Sequence, residues 1–165
     1  MAPGCADVSA ALDKHNFYRT RHQAPSMTWS STLQASAQAW ANTLASEGCG
    51  LRHSGAGENL YAASTSGSSI TANCTSATTA WYNEVAAYKF TDTPWTDNQP
   101  FSKIGHFTQV VWKASVQLGC GAATATTYSG WKCVAIACHY SPPGNLAYDS
   151  SFYANVLPPL ARVVM

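Results

Sequence analysis

The chain has 165 residues, 46% apolar and 12% aromatic, which is enough to bury the core of one domain and too apolar for a disordered segment. Nine basic and eight acidic residues leave a formal net charge of +1, so no basic stripe supports nucleic-acid binding and no acidic run suggests a tail. Charged residues are 10% of the chain, against about a quarter in an average domain, and Ser, Thr, Asn, Gly and Ala carry the surface instead, a balance that fits a secreted protein.

In chain order, residues 6–23 read as a helix. Val8, Leu12 and Phe17 mark its candidate buried face, and Lys14, Arg19 and Arg21 its charged one. His15 and His22 fall on this polar helix, and Pro25 stops it. Met27, Thr28 and Trp29 form a short extended piece. Ser30 or Ser31 caps a second helix, whose Leu33, Ala37, Trp40, Ala41 and Leu44 share one stripe; Gly48 and Gly50 end it around Cys49. HSGAGENL (53–60) reads as a tight glycine-bearing loop and STSGSS (64–69) as a flexible surface loop.

A third helix is expected from about Ser76, with Ala77, Ala80, Trp81, Glu84, Val85 and Tyr88 on one side. Glu84 therefore lies on an apolar stripe, where a carboxylate is costly unless paired. Residues 90–100 form a loop with two prolines. GHFTQVVWKAS (105–115) reads as a short helix despite its β-branched residues. VQLGCGAATA (116–125) and WKCVAIACHY (131–140) flank a TYSG turn as a hairpin, and the tail from Ser141 is loop-rich. With no repeat, linker or regular βαβ alternation, the pattern predicts one α+β domain over 1–165 with an antiparallel sheet.

Six cysteines (5, 49, 74, 120, 133 and 138) suit three disulfides in an oxidising compartment. No CxxC pair supports a zinc ribbon or a thioredoxin site. Asn73-Cys74-Thr75 is a glycosylation sequon. No apolar run approaches a membrane span. The first ten residues lack the apolar stretch of a signal peptide, which fits a mature chain with an added start methionine; a cytosolic protein is the alternative.

Four residues want partners. His53 and Glu58 share one loop, Glu84 sits on an apolar helical face, and His106 heads an apolar segment. Two imidazoles and two carboxylates meeting in one cleft can hold a divalent cation or do acid–base work. The alternative is that each one bonds locally. His139 follows Cys138 on a strand, and nothing points it to a site.

These segments resemble the CAP superfamily, which comprises the cysteine-rich secretory proteins, antigen 5 and pathogenesis-related type 1 proteins. GHFTQVVWKAS looks like its first signature and IACHYSPPGNL (136–146) like its second. HSGAGENL, WYNEV (81–85) and KHNFYRTRH (14–22) resemble further family segments, in family order from about residue 8 to 157. The resemblance implies a disulfide-stabilised three-layer α-β-α sandwich around a central antiparallel sheet. It also implies an extracellular location and a tetrad formed by His53, Glu58, Glu84 and His106, which in some relatives binds zinc or magnesium mainly through the histidines. Ala135 stands where the signature prefers a bulkier residue, and the stretch after Gly121 lacks a cysteine found in many relatives, for which Cys133 can substitute. The resemblance supports Cys49–Cys120 best and leaves Cys5–Cys74 and Cys133–Cys138. Cys133 and Cys138 lie five apart on one predicted strand, with side chains on opposite faces.

Some relatives, fungal ones among them, bind sterols through an aromatic loop, and Tyr88, Phe90 and Trp95 in YKFTDTPW fit that spacing. A sterol, or a fatty acid between helices near Trp40 and Leu44, is the implied ligand. The chain reads as a monomeric binding protein, with a weak dimer as the alternative. The alternative functions are a secreted effector or signalling protein acting on a protein partner, or a metal-dependent hydrolase, for which there is no GxSxG and no free thiol. The Ser/Thr-rich composition and the intact aromatic loop point to a fungal member, with a plant origin open.

Overall fold

Side chains alternate between the two faces of a strand, and two long strands here use both faces for packing. The computed structural model describes residues 4–161, so the ends of the expected 1–165 domain lie outside the described residues. The elements are α1 (Val8–Arg21), β1 (Thr28–Trp29), α2 (Ser31–Ser46), β2 (Glu58–Thr65), α3 (Cys74–Tyr82), α4 (Pro94–Asp97), α5 (Gly105–Val110), β3 (Gln117–Thr126), β4 (Lys132–Ser141) and α6 (Asp149–Asn155). A 3-10 segment, Asn83–Ala87, continues α3. The sheet order is β1-β3-β4-β2, antiparallel except for the two-residue β1, which runs parallel to β3.

The expected hairpin is β3 and β4, each displaced by one residue from its predicted range. β2, α4 and α6 lie in segments that the sequence presents as loops. ENLYAAST is poor in strand formers; what makes it a strand is pairing with β4 from Glu58 opposite His139 to Thr65 opposite Lys132.

The three expected layers are present. On one sheet face, Leu60, Ala123, Cys133, Ala135 and Ala137 pack against Ala37, Ala41, Leu44 and Ala45 of α2. On the other, Leu118, Ala122, Val134, Ile136 and Tyr140 pack against Trp81, Phe107, Val110 and Phe152. The first interface is built of small residues because α2 lies directly on the sheet. A Cβ at Gly119 would stand 2.1 Å from the Gln34 backbone nitrogen, and one at Gly121 would stand 2.3 Å from the Gln38 Cα. Ala135 is small for the same reason. Gln38 also bonds Ala122 of β3 twice, donating to its carbonyl at 2.7 Å and accepting from its N–H at 3.1 Å.

Helix α1 reverses the face expected of it. Phe17 is exposed, Val8 and Leu12 are half-buried, and Ala11, His15, Tyr18 and Arg19 are buried, with His22 just beyond the helix end. The Arg19 guanidinium donates to the carbonyls of Pro25, Val110, Trp112 and Ser115 at 2.7–3.0 Å. His15 bonds the Ala11 carbonyl and the Tyr140 hydroxyl, and His22 bonds the Leu157 carbonyl and the Tyr82 hydroxyl. Arg19 thus ties α1 to the end of α5 and the irregular chain after it, His15 ties it to β4, and His22 ties its end to α3 and to the segment after α6.

The disulfides correct two expected pairings. Cys5–Cys74 forms as expected, but Cys49 joins Cys133 and Cys120 joins Cys138. The alternation of β4 explains this. Cys133 faces α2, where Cys49 ends that helix, while Cys138 faces the opposite layer and sits directly across the ladder from Cys120. Among the described residues no helix is long and apolar enough to cross a membrane.

Candidate functional site

His106 lies in the first turn of α5. Gly105 before it presses so closely on Phe101 that a Cβ would stand 2.5 Å from the ring. Asn145, in the left-handed region at φ 57°, donates to the Gly105 carbonyl at 2.9 Å and accepts from the Thr108 hydroxyl at 2.6 Å. Gly144 donates to Gln109. The loop after β4 is thereby fastened to α5, and the two signature segments form one wall.

Glu84 reaches His106 from the 3-10 segment after α3. Its Oε2 accepts from His106 Nδ1 at 2.8 Å, and its Oε1 accepts from the backbone N–H groups of His106 and Phe107 at 2.9 and 3.0 Å. The Trp81 indole stacks on the imidazole at 6.2 Å between centroids. The carboxylate on the apolar stripe is therefore paired.

His53 and Glu58 form the second pair. His53 Nδ1 donates to Glu58 Oε1 at 2.9 Å, and the Ser54 backbone N–H donates to the same oxygen at 2.9 Å. Oε2 accepts from the Ser54 hydroxyl and, at 2.7 Å, from His139 Nε2. The Glu58 side chain is 1% exposed. Burial pushes its carboxyl up, but the hydrogen bonds from His139, Ser54 and His53 outweigh that and hold it below the ordinary glutamate value. His139 is the site residue that sequence reasoning misses. The signal for it lies in the pairing of β2 with β4, which a sequence reading that takes 53–60 as a loop cannot contain.

His53, Glu58, Asn59, Phe101, Gly105 and His106 line a cavity of about 340 Å³, with Ser102 and Asn145 beside them. The structure thus brings all four expected residues together as two His–Glu pairs, three of the four lining the cavity. In both pairs Nδ1 faces a carboxylate, so each neutral ring carries its proton there and leaves the Nε2 lone pair free. The four donors to Glu58 fill its acceptor sites, and Glu84 has three of its own filled. This donor set fits a divalent cation held by two imidazoles and water, with the carboxylates orienting the rings. Among the described residues no three His, Cys, Asp or Glu side chains gather as direct ligands. Ser54 donates to a carboxylate and not to an imidazole, so its hydroxyl is not activated as a nucleophile.

The three aromatic loop residues do not form one cluster. Tyr88 is buried, and its ring stands 4.8 Å from that of Phe90. Both line a groove of about 230 Å³ with Tyr153, Val156, Leu157 and Pro158. Trp95 is half-buried elsewhere, against Phe101 and Phe152 at 5.6 and 5.2 Å. Trp40 lies over Arg52 and donates to its carbonyl, while Leu44 is fully buried in the α2 interface.

Comparison with known proteins agrees with this architecture. The sequence model described as the cysteine-rich secretory protein (CAP) family matches residues 12–140. The chain is 35% identical over 167 residues to Repressed by EFG1 protein 1 of Candida albicans, covering 94% of this chain and 56% of that protein. It is 40% identical over 147 residues to pathogenesis-related protein 1A1 of Solanum lycopersicum, covering 88% of this chain and 75% of that protein. The chain thus spans little more than half of the Candida relative. The structure of BmVAL-1 superposes with a TM-score of 0.65 at 25% identity, covering 90% of this chain and 84% of the other. On the family match, the relatives and the shared fold, this chain belongs to the cysteine-rich secretory protein (CAP) family.

Proposed function

We propose that this chain is an extracellular CAP protein that holds a divalent cation, zinc or magnesium, between His53 and His106 and binds a small hydrophobic lipid such as a sterol. The observation that carries the cation reading is the pair of imidazoles at one cavity, each with Nδ1 fixed by a glutamate and Nε2 left free. Three disulfides and the absence of a free cysteine among the described residues are consistent with an oxidising, extracellular setting.

The lipid reading is supported by the groove at Tyr88 and Phe90. Phe90 is 38% exposed, and the Tyr88 hydroxyl is buried without a hydrogen-bond partner among the described residues. At about 230 Å³ the groove is smaller than pockets that enclose a drug-sized molecule, about 300–1,000 Å³, so a sterol would lie along it partly uncovered. The protein acts as a binder and not a hydrolase, because the one serine that meets an imidazole among the described residues, Ser36 at His139, is not among those that line the cavity.

The test is calorimetric titration of the oxidised protein with Zn²⁺ and Mg²⁺, followed by sterol binding with and without chelator. Saturable sterol binding supports the lipid reading, and its loss on chelation couples the two sites. A His53→Ala, His106→Ala double variant that binds Zn²⁺ as the parent does would overturn the cation reading. Turnover of ester or peptide substrates that depends on His106 would replace the binding reading with a hydrolase.

A further inference from the structure

His139 does not line the cavity. It lies on the face of β4 turned toward α2, and its partner across the ladder is Glu58. Its Nε2 meets Glu58 Oε2 at 2.7 Å, and its Nδ1 meets the Ser36 hydroxyl of α2 at 2.7 Å. On its other oxygen Glu58 takes His53. Hydroxyl, imidazole, carboxylate and imidazole therefore form one hydrogen-bonded chain from α2 to the cavity wall. Gly119 makes the chain possible. It lies across the β3–β4 ladder from His139, and its missing side chain lets the turn of α2 before Ser36 come down onto the sheet.

Proton placement follows from the groups present. An ionised Glu58 only accepts, so His139 must carry a proton on Nε2, and Ser36 can donate to Nδ1. Ser54 touches both oxygens, its backbone N–H on Oε1 and its hydroxyl on Oε2, and His139 adds the side-chain donor from β4 that fixes Oε2, so Oε1 is held where His53 Nδ1 meets it. The His53 side chain is 59% exposed, and among the described residues its ring has no other hydrogen bond. Its orientation and tautomer thus depend on where Glu58 points.

We infer that His139 is a positioning residue of the cleft: backed by Ser36, it locks Glu58 in the orientation that keeps the His53 proton on Nδ1 and its Nε2 lone pair free. The use of that lone pair rests on the cation reading above, but the tautomer exists without any cation.

The test compares two variants in metal-free protein. His139→Gln places a side-chain N–H where Nε2 stood and still reaches Glu58. His139→Asn serves the Ser36 side and falls short of the carboxylate. Nitrogen-15 NMR of the imidazoles, at a pH where they are neutral, reads the His53 tautomer directly. The parent and His139→Gln are expected to hold the Nδ1–H form, and His139→Asn to pass to mainly Nε2–H. Zn²⁺ titration of the same proteins should find His139→Asn weaker by about tenfold or more and His139→Gln near the parent. An unchanged His53 tautomer in folded His139→Asn overturns the inference, as does equal loss in both variants. If the parent binds no Zn²⁺ while the tautomer responds as expected, the positioning role stands and the cation reading fails. A loss of melting temperature shared by both variants, without a tautomer change, marks His139 as structural only and also overturns it.

Discussion

Glu84 grips His106 at two points, taking the imidazole N–H on one carboxylate oxygen and the backbone N–H of the same residue on the other. Ring and backbone are thus fixed by one side chain, and the tautomer that leaves Nε2 bare is fixed with them. Glu84→Gln should separate these roles. Its amide oxygen can still accept from the backbone N–H groups, but its NH₂ then faces Nδ1. Two donors cannot bond, so His106 moves its proton to Nε2 and loses the free lone pair. We expect Zn²⁺ affinity to fall by about tenfold or more and stability by about 1 kcal/mol, read by calorimetric titration and thermal melting. Unchanged affinity would remove His106 as a ligand.

The aromatic loop separates into a structural and an accessible residue. Trp95 is packed against Phe101 and Phe152, so Trp95→Ala should destabilise by about 2–3 kcal/mol, the lower end for an aromatic truncation because the ring is half-buried. Phe90 is exposed at a groove, so Phe90→Ala should cost under about 1 kcal/mol and weaken sterol binding. Denaturant midpoints and sterol titration read both. A Trp95→Ala protein as stable as the parent would contradict this assignment.

Stability should depend on pH through the buried histidines in and just after helix α1. Burial lowers His15 from 6.5 to about 4, and burial also lowers His22. A base with a depressed folded pKa leaves the fold fully stable above the unfolded pKa. As pH falls from 6.5 toward 4, the unfolded chain takes up the proton first and stability drains away. The His15 contribution is on the order of 3 kcal/mol. Asp7 and Glu58 are held below their ordinary values and lose their contribution only at lower pH. Melting between pH 7.5 and 4.5 should therefore drop steeply in the parent and less in His15→Gln; equal slopes would contradict the role of His15.

The α2 interface can be tested with two glycines. At Gly119 a methyl group would stand 2.1 Å from the α2 backbone, while at Gly50 nothing lies within 4 Å. Gly119→Ala should therefore cost about 2 kcal/mol or more, with α2 displaced, and Gly50→Ala should stay within about 0.5 kcal/mol. Comparable melting temperatures for the two variants would mean that α2 does not rest on the sheet as described.

Much of this arrangement is legible in the residues. The capped, alanine-striped α2 follows from Ser30 and helical periodicity, and Ser30 accepts from the Leu33 N–H as a cap should. The hairpin follows from alternation around TYSG. The resemblance names His53, Glu58, Glu84 and His106, which the structure gathers in two pairs. Helix α1 is the instructive reversal. A periodicity argument counts Arg19 and His15 as polar and turns them outward, because it cannot see the carbonyls of residues 110–115 waiting on the other side.

By itself the sequence determined the family, the α+β class, the hairpin and the residue types of the cleft, because those depend on local periodicity, turn chemistry and motif order. Only the tertiary structure decided that β2 is a strand, that Cys133 and Cys138 belong to different disulfides, and that His139 backs Glu58. Each of these rests on which face of β4 a residue occupies and what is packed against that face, and a one-residue slip of register would reverse all of them.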